Sequence, residues 1–268
     1  MTIPTAELNA GGRGRADLHI HSLASDGISS VAEILAAAQA ARLDVIAITD
    51  HERMDAALAA KTLAEASGSQ VSVIVGEEVT TRSGHVVGLF MRERIRPWGS
   101  LRSTIALIHE QGGLAIIPHP LVPYPLCVSA RAVRALMDDA DPIFHPDAIE
   151  AFNASTARMR WSRGAPEFAR QVGLTALAGS DAHRAADVGH AVTTFPGHTP
   201  GDIRAAIASG TTEWAGDAYT WRRQFDMFVR QQHKNARAVG ATAKHRLLRS
   251  GTGRNLGYPR TTAERGNP

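Results

Sequence analysis

Apolar residues along this chain fall into two kinds of run. Short continuous runs rich in Val and Ile alternate with longer Ala-rich stretches whose apolar positions recur at helical spacing. The first pattern predicts strands buried on both faces, and the second predicts amphipathic helices. "DLHIH" (17–21) reads as a strand. "SSVAEILAAAQAAR" (29–42) reads as a helix, capped by Ser29 or Ser30, with Val31, Ile34, Leu35 and Ala38 on one face. "DVIAITDH" (44–51) is a strand, "MDAALAAKTLAEAS" (54–67) a helix, and "VSVIVGEEVTT" (71–81) and "HVVGLF" (85–90) are strands. "LRSTIALIHEQ" (101–111) is a helix stopped by Gly112 and Gly113, and "LAIIPHP" (114–120) is a strand ended by Pro. "AIEAFN" (148–153) and "LTALAGSDAH" (174–183) are strands around a short helix near 166–172, and "TPGDIRAAIASG" (199–210) is a last helix. Residues 121–147 read as a long surface excursion. Strands buried on both faces and alternating with helices imply a parallel sheet with right-handed crossovers, either a barrel or an open sheet.

The chain has 268 residues, enough for one large domain or a domain with an appendage. No apolar run approaches the length of about 18 residues that spans a membrane. The first fifteen residues lack the apolar core of a secretory signal, so the expected compartment is the cytoplasm. Cys127 is the only cysteine, which excludes an intrachain disulfide. No glycine-rich phosphate loop of the dinucleotide or Walker type occurs. Charge is segregated. Residues 222–268 hold 11 of the 29 Lys and Arg but 2 of the 26 Asp and Glu, a net of +9, so the other 221 residues carry −6. The expected organisation is a flexible N-terminus (1–15), a catalytic domain (16–221), a basic helical extension (222–249) and a flexible tail (250–268). The basic segment either docks on the domain, or offers a surface to nucleic acid or an anionic membrane.

The residue types that bind metals collect at strand ends. His19 and His21 end the first strand, Asp50 and His51 the second, Glu77 and Glu78 the third, His119 the strand at 114, and Asp181 and His183 the strand at 174. Each is a C-terminal end, the edge on which parallel α/β folds build sites. His85, which opens its strand, is the exception. Residues two apart on a strand point to the same side, so His19 with His21, and Asp181 with His183, can each address one ion or two adjacent ions. Imidazoles and carboxylates without thiolates suit Zn²⁺, Mn²⁺ or Fe²⁺. Asp26, before Gly27, is either a turn residue or a further ligand. Asp17 shares the face of His19 and His21, deeper in the sheet. Asn153 either faces the site or caps the following turn. Arg158, Arg160 and Arg163 offer a clamp for phosphate or a solvated face. His190 lies just past the last motif and is expected at the mouth of the site.

In chain order, "DLHIHS…SDG", "ITDH", "GEEVTT", "HVVGLF", "IPHP", "EAFN" and "GSDAH" resemble the PHP (polymerase and histidinol phosphatase) family, and most of all its stand-alone phosphoesterases. The resemblance spans roughly residues 16–196. It implies a distorted (β/α)7 barrel and a centre of two or three divalent ions at its C-terminal edge. It assigns His19, His21, Glu78 and Asp181 to a first ion. Glu78 bridges to a second, completed by His85 and His119, and Asp26, His51 and His183 hold a third. It selects Glu78 over Glu77, which becomes a neighbour, and implies that Asp50 orients a ligating histidine. Asp17 is expected to support the ligands from below. The implied activity is hydrolysis of a phosphomonoester of a small metabolite or nucleotide by a metal-bound hydroxide, without a phosphoenzyme. The implied substrate contacts are Asn153, Arg158, Arg163 and His190. The alternatives are a nuclease or phosphodiesterase trimming nucleic-acid ends, a hydrolase of a non-phosphate ester or amide, and a non-catalytic metal-binding module.

Overall fold

In the computed structural model, residues 12–220 other than 125, together with residues 222–223, are described. The elements run β1 (Arg13–Ile20), α1 (Val31–Ala40), β2 (Val45–Ile48), α2 (Asp55–Ser67), β3 (Ser72–Thr81), β4 (Gly84–Leu89), α3 (Leu101–Glu110), β5 (Leu114–Ile117), α4 (Ala130–Met137), β6 (Ala148–Asn153), α5 (Ala165–Val172), β7 (Thr175–Gly179), β8 (Ala191–Pro196), α6 (Pro200–Ser209) and β9 (Glu213–Gly216). The helix ends follow local chemistry. Ser30, Ser100, Ser129 and Thr199 each accept a hydrogen bond from a first-turn N–H at the starts of α1, α3, α4 and α6. Gly68, Gly173 and Gly210 close α2, α5 and α6 in the left-handed conformation.

The strands form one sheet in the order β7-β6-β5-β4-β3-β2-β1-β8-β9. Pairing is parallel from β1 to β3 and from β5 to β7. It is antiparallel between β3 and β4, β4 and β5, β1 and β8, and β8 and β9. The all-parallel expectation is therefore corrected to a mixed sheet. Only Arg82 and Ser83 separate β3 from β4, too short a link for a parallel crossover of a dozen or more residues, so the chain turns straight back. The sheet nearly closes on itself: beyond β7, Ala182 pairs with Ile20, and the Thr193 hydroxyl of β8 bonds the Ala178 N–H and carbonyl. The result is a barrel-like α/β fold.

Both sheet faces are apolar, as the continuous runs require. Ile34, Ile105, Ile108, Val133 and Phe168 of the helices pack on Ile46, Ile48, Ile117 and Ile149. Ala16, Leu18, Val45, Ala47, Ile74, Leu89, Ile116 and Leu177 pack with Phe195 and with Ile203 and Ile207 of α6 on the other face. The 121–147 excursion contains α4 and a short 3₁₀ turn at Pro142–Phe144. Its eight-residue helix buries only Val133 and Leu136, too few positions to show as a period. β8 and β9 were not expected either: β8 is interrupted by the buried Thr193 and Thr194, and β9 is only four residues long. Among the described residues no helix is long and apolar enough to cross a membrane. Apart from Arg222 and Arg223, the basic extension and tail lie outside the described residues.

Candidate metal centre

All nine candidate ligands come to one edge of the sheet. The reversal of β4 explains His85: because β4 runs antiparallel, its first residues lie beside the last residues of β3, and His85 pairs with Thr80. The ligand atoms gather into four overlapping groups, each within 4.8 Å: His19, His21 and Asp181; His21, His51 and Glu78; His21, Asp26 and His183; and Glu78, His85 and His119. Glu78 is the hub. Its Oε1 lies 2.7 Å from His85 Nδ1 and 3.1 Å from His119 Nε2. Its Oε2 lies 3.2 Å from both His19 Nε2 and His21 Nε2, and 3.5 Å from His51 Nδ1. Asp181 Oδ1 approaches the same two imidazoles at 3.7 and 3.4 Å. Asp26 Oδ2 faces His183 at 3.1 Å and His51 at 3.6 Å. His51 therefore stands between Glu78 and Asp26 rather than belonging to Asp26 and His183 alone.

The donor set fits divalent cations. Glu78 and Asp181 are buried and Asp26 is partly buried, and among the described residues their ion-pair partners are all histidines. Neutral imidazoles leave these buried and half-buried negative charges uncompensated, which is costly without a cation. His19 Nε2 and His21 Nε2 face each other at 3.1 Å with two carboxylate oxygens beside them, a convergence of lone pairs. His85 Nδ1 is buried and makes no hydrogen bond even though Glu78 lies close by. Backbone strain supports the same reading. Asp181 (φ 54°) and His119 (φ 29°) both sit at positive φ, where non-glycine residues are rare and cluster at functional sites.

With protein groups alone, the cluster polarises itself. Burial pushes the Glu78 carboxyl up, but His85, His51, His19 and His119 bring it well below the usual carboxylate range. Asp181 is likewise held low against its burial by His19, His21 and His183. Burial works against a charged His21, yet Asp26, Asp181 and Glu78 lift it to about 10. His19 is raised against its burial by Glu150, Glu78 and Asp181. His51 goes the other way, lowered mainly by burial, which outweighs the opposing pull of Glu78 and Asp26.

One residue beneath the ligands escaped the sequence reading. Glu150, buried in β6, accepts from His19 Nδ1 at 2.8 Å, from the His119 backbone N–H at 2.8 Å and from the Asn153 amide at 2.8 Å. The available signal was an acid inside the otherwise apolar run "AIEAF". Asp17, also buried, accepts from the Ser180 and Gly189 N–H groups at 3.1 and 2.8 Å, fastening the backbone next to Asp181. Burial pushes its carboxyl up to about 6. Asp50, expected to orient a histidine, instead accepts from the Ser22 N–H and hydroxyl at 2.8 and 2.6 Å and from the Ser25 hydroxyl. It holds the loop that carries Asp26, because the turn after β1 brings these serines within its reach. Glu77 turns away to the Ile95 N–H at 2.9 Å, and burial raises it to about 7.

Known proteins resemble this chain. A family model described as PHP domain matches residues 17–130, and one described as PHP-associated matches residues 160–212. An uncharacterised protein of Methanocaldococcus jannaschii is 36% identical over 151 residues, covering 52% of this chain and 82% of that protein. The chain belongs to the PHP family. The PHP match contains seven of the nine candidate ligands, from His19 to His119, and the PHP-associated match contains Asp181 and His183. A solved two-domain protein of Bacteroides vulgatus, containing a predicted PHP-like metal-dependent phosphoesterase, shares the fold at a TM-score of 0.60 and 19% identity. The alignment covers 77% of this chain and 66% of that one. A 5'-3' exoribonuclease of Haemophilus influenzae is 38% identical over 77 residues, 27% of either protein.

The expected substrate contacts fare differently in this PHP domain. Asn153 caps its own turn, its carbonyl accepting from the Ser155 and Thr156 N–H groups at 3.0 and 3.2 Å while its amide bonds Glu150. Arg158 is pinned to the Tyr219 carbonyl at 2.6 Å. His190 accepts from Arg223 at 2.6 Å, and burial and that guanidinium lower its pKa. Neighbouring groups thus engage all three, Asn153 through Glu150 and through the Ser155 hydroxyl that also bonds Asp181. Arg163 is exposed, and lines a cavity of about 400 Å³ together with His119, Glu150, Asn153, Phe152 and Trp214.

Proposed function

We propose that the chain is a metal-dependent phosphoesterase that hydrolyses a phosphomonoester of a small metabolite or nucleotide, using two or three ions drawn from Mn²⁺, Zn²⁺ and Fe²⁺. The observation that carries this reading is Glu78, whose two oxygens face different histidine sets and so suit a carboxylate shared between ions. His19, His21 and Asp181 would hold one ion, His85 and His119 a second, and Asp26 and His183 a third, with His51 between the first and the third. Bound divalent ions would neutralise phosphoryl oxygens and acidify a water near neutral pH, the chemistry a dianionic ester needs. The protein's share is orientation: Glu150 fixes the His19 ring and the His119 backbone, Asp17 the segment before Asp181, and Asp50 the loop of Asp26. Arg163 is the side chain free to meet a phosphate or its leaving group at the cavity beside His119. A second reading, cleavage of nucleic-acid ends, draws on the local likeness to the exoribonuclease and on the +9 charge of residues 222–268.

A Mn²⁺-supplemented screen of phosphomonoesters, nucleotides and short oligonucleotides tests both. Turnover of monoesters is expected. It should fall by more than about 100-fold in His51→Ala and Asp181→Asn, beyond the loss typical of a group that only supports a ligand. Unchanged turnover in both variants would overturn the site assignment. Oligonucleotide cleavage that depends on salt and on residues 222–268 would favour the second reading.

A further inference from the structure

We propose that Cys127 is a positioning residue for His119, setting which ring nitrogen that histidine offers to the metal centre. The inference rests on the metal-centre reading above and adds a residue to it. His119 is held at three points. Its backbone N–H donates to Glu150, its Nε2 faces Glu78 Oε1 at 3.1 Å, and its Nδ1 lies 3.3 Å from Cys127 Sγ. An imidazole that gives the Nε2 lone pair to a cation must carry its proton on Nδ1, and that N–H then needs an acceptor. Elsewhere in the cluster the acceptor is oxygen: a Glu150 carboxylate for His19 and the Asp181 carbonyl for His183. For His119 it is the half-buried thiol sulfur.

The loop that delivers this sulfur also delivers the next histidine. The Leu126 carbonyl accepts from the His85 N–H at 2.9 Å, and Leu121 and Val128 close the loop with a backbone bond of 3.1 Å. The segment presses on the start of β4 so closely that a Cβ at Gly84 would lie 2.7 Å from Val128 N and 2.8 Å from Cys127 C. Gly84 also holds φ at 121°, which other residues rarely adopt. Both histidines of the Glu78, His85 and His119 group are thus tied to one short loop. Since Sγ faces Nδ1 and not Nε2, the thiol supports the ring and is not itself a ligand.

The test uses the full chain, with metal loading as the readout. Chelator-competition titration of Zn²⁺ or Co²⁺ should show one equivalent bound roughly 10–100-fold more weakly in Cys127→Ala. Cys127→Ser, which keeps an acceptor, should lie close to wild type. ¹⁵N spectra of the Zn²⁺-loaded wild type should show His119 protonated on Nδ1, and the Co²⁺ form should lack a thiolate charge-transfer band. Equal affinity for all equivalents in wild type and Cys127→Ala, His119 protonated on Nε2, or the appearance of that band would each overturn the proposal. Should Cys127→Ala fail to fold, the wild-type spectra and Cys127→Ser still decide. None of these readouts uses turnover. A chain that binds metal but cleaves no phosphoester defeats the proposed function and leaves this inference standing. A wild type that binds no divalent ion defeats both.

Discussion

His19 and His119 reach the metal edge from different strands yet lean on one carboxylate, Glu150. Such shared support fixes two of the six imidazoles from one side chain. It also has a consequence in protons. Against their burial, carboxylates hold His19, His21 and His183 above the ordinary histidine range, and Cys127 together with Glu78 does the same for His119. With protein groups alone, His21, lifted to about 10, holds its proton at neutral pH and must lose one from the nitrogen that takes a metal. Metal binding should release protons, and affinity should rise as pH rises. Titration calorimetry at pH 7 in buffers of different ionisation enthalpy checks this: a binding heat that varies with the buffer is expected, and a heat independent of it would contradict the account. At this scale the sequence was informative wherever the side chain is itself a metal ligand, because His, Asp and Glu at successive strand ends have few other joint explanations. Glu150 opens the "EAFN" motif, but chain order does not show which histidines an acid on one strand meets on others, so its role appears only when β6 is set beside β1 and β5.

β4 shows what separates a legible element from an illegible one. Its residues read as a strand, but direction is set by the two-residue link from β3, and hydropathy carries no direction. That reversal brings His85 to the site. Helices with a hydroxyl cap and a glycine stop were legible to within a few residues, whereas α4, β8 and β9 were too short or too polar to register. Packing between elements makes its own prediction. A Cβ on Gly179 of β7 would collide with the Glu150 carboxyl and come within 2.9 Å of His19 Cβ. Gly179→Ala should cost about 1–3 kcal/mol of stability. A domain of this size then melts roughly 2–4 °C lower for each kcal/mol. Thermal denaturation measures this, and an unchanged melting temperature would show that β6 and β7 do not press together as described.

Over the whole molecule, charge and chemistry are divided. The first 221 residues are net negative and carry every candidate ligand, while residues 222–268 carry +9. The fold was readable at the level of an α/β barrel because its strands are apolar on both faces. The position of the basic segment was not, because its apolar spacing is imperfect and it lacks a motif. The central claim is that one edge of this barrel holds a cluster of divalent ions around Glu78. Anomalous diffraction from crystals of the chain loaded with Zn²⁺ or Mn²⁺ tests it most directly. The account predicts at least two peaks within about 2.0–2.3 Å of ligand atoms, one of them between Glu78, His85 and His119 and another beside His19, His21 and Asp181. Metal-loaded crystals with no anomalous peak within reach of Glu78 would contradict it.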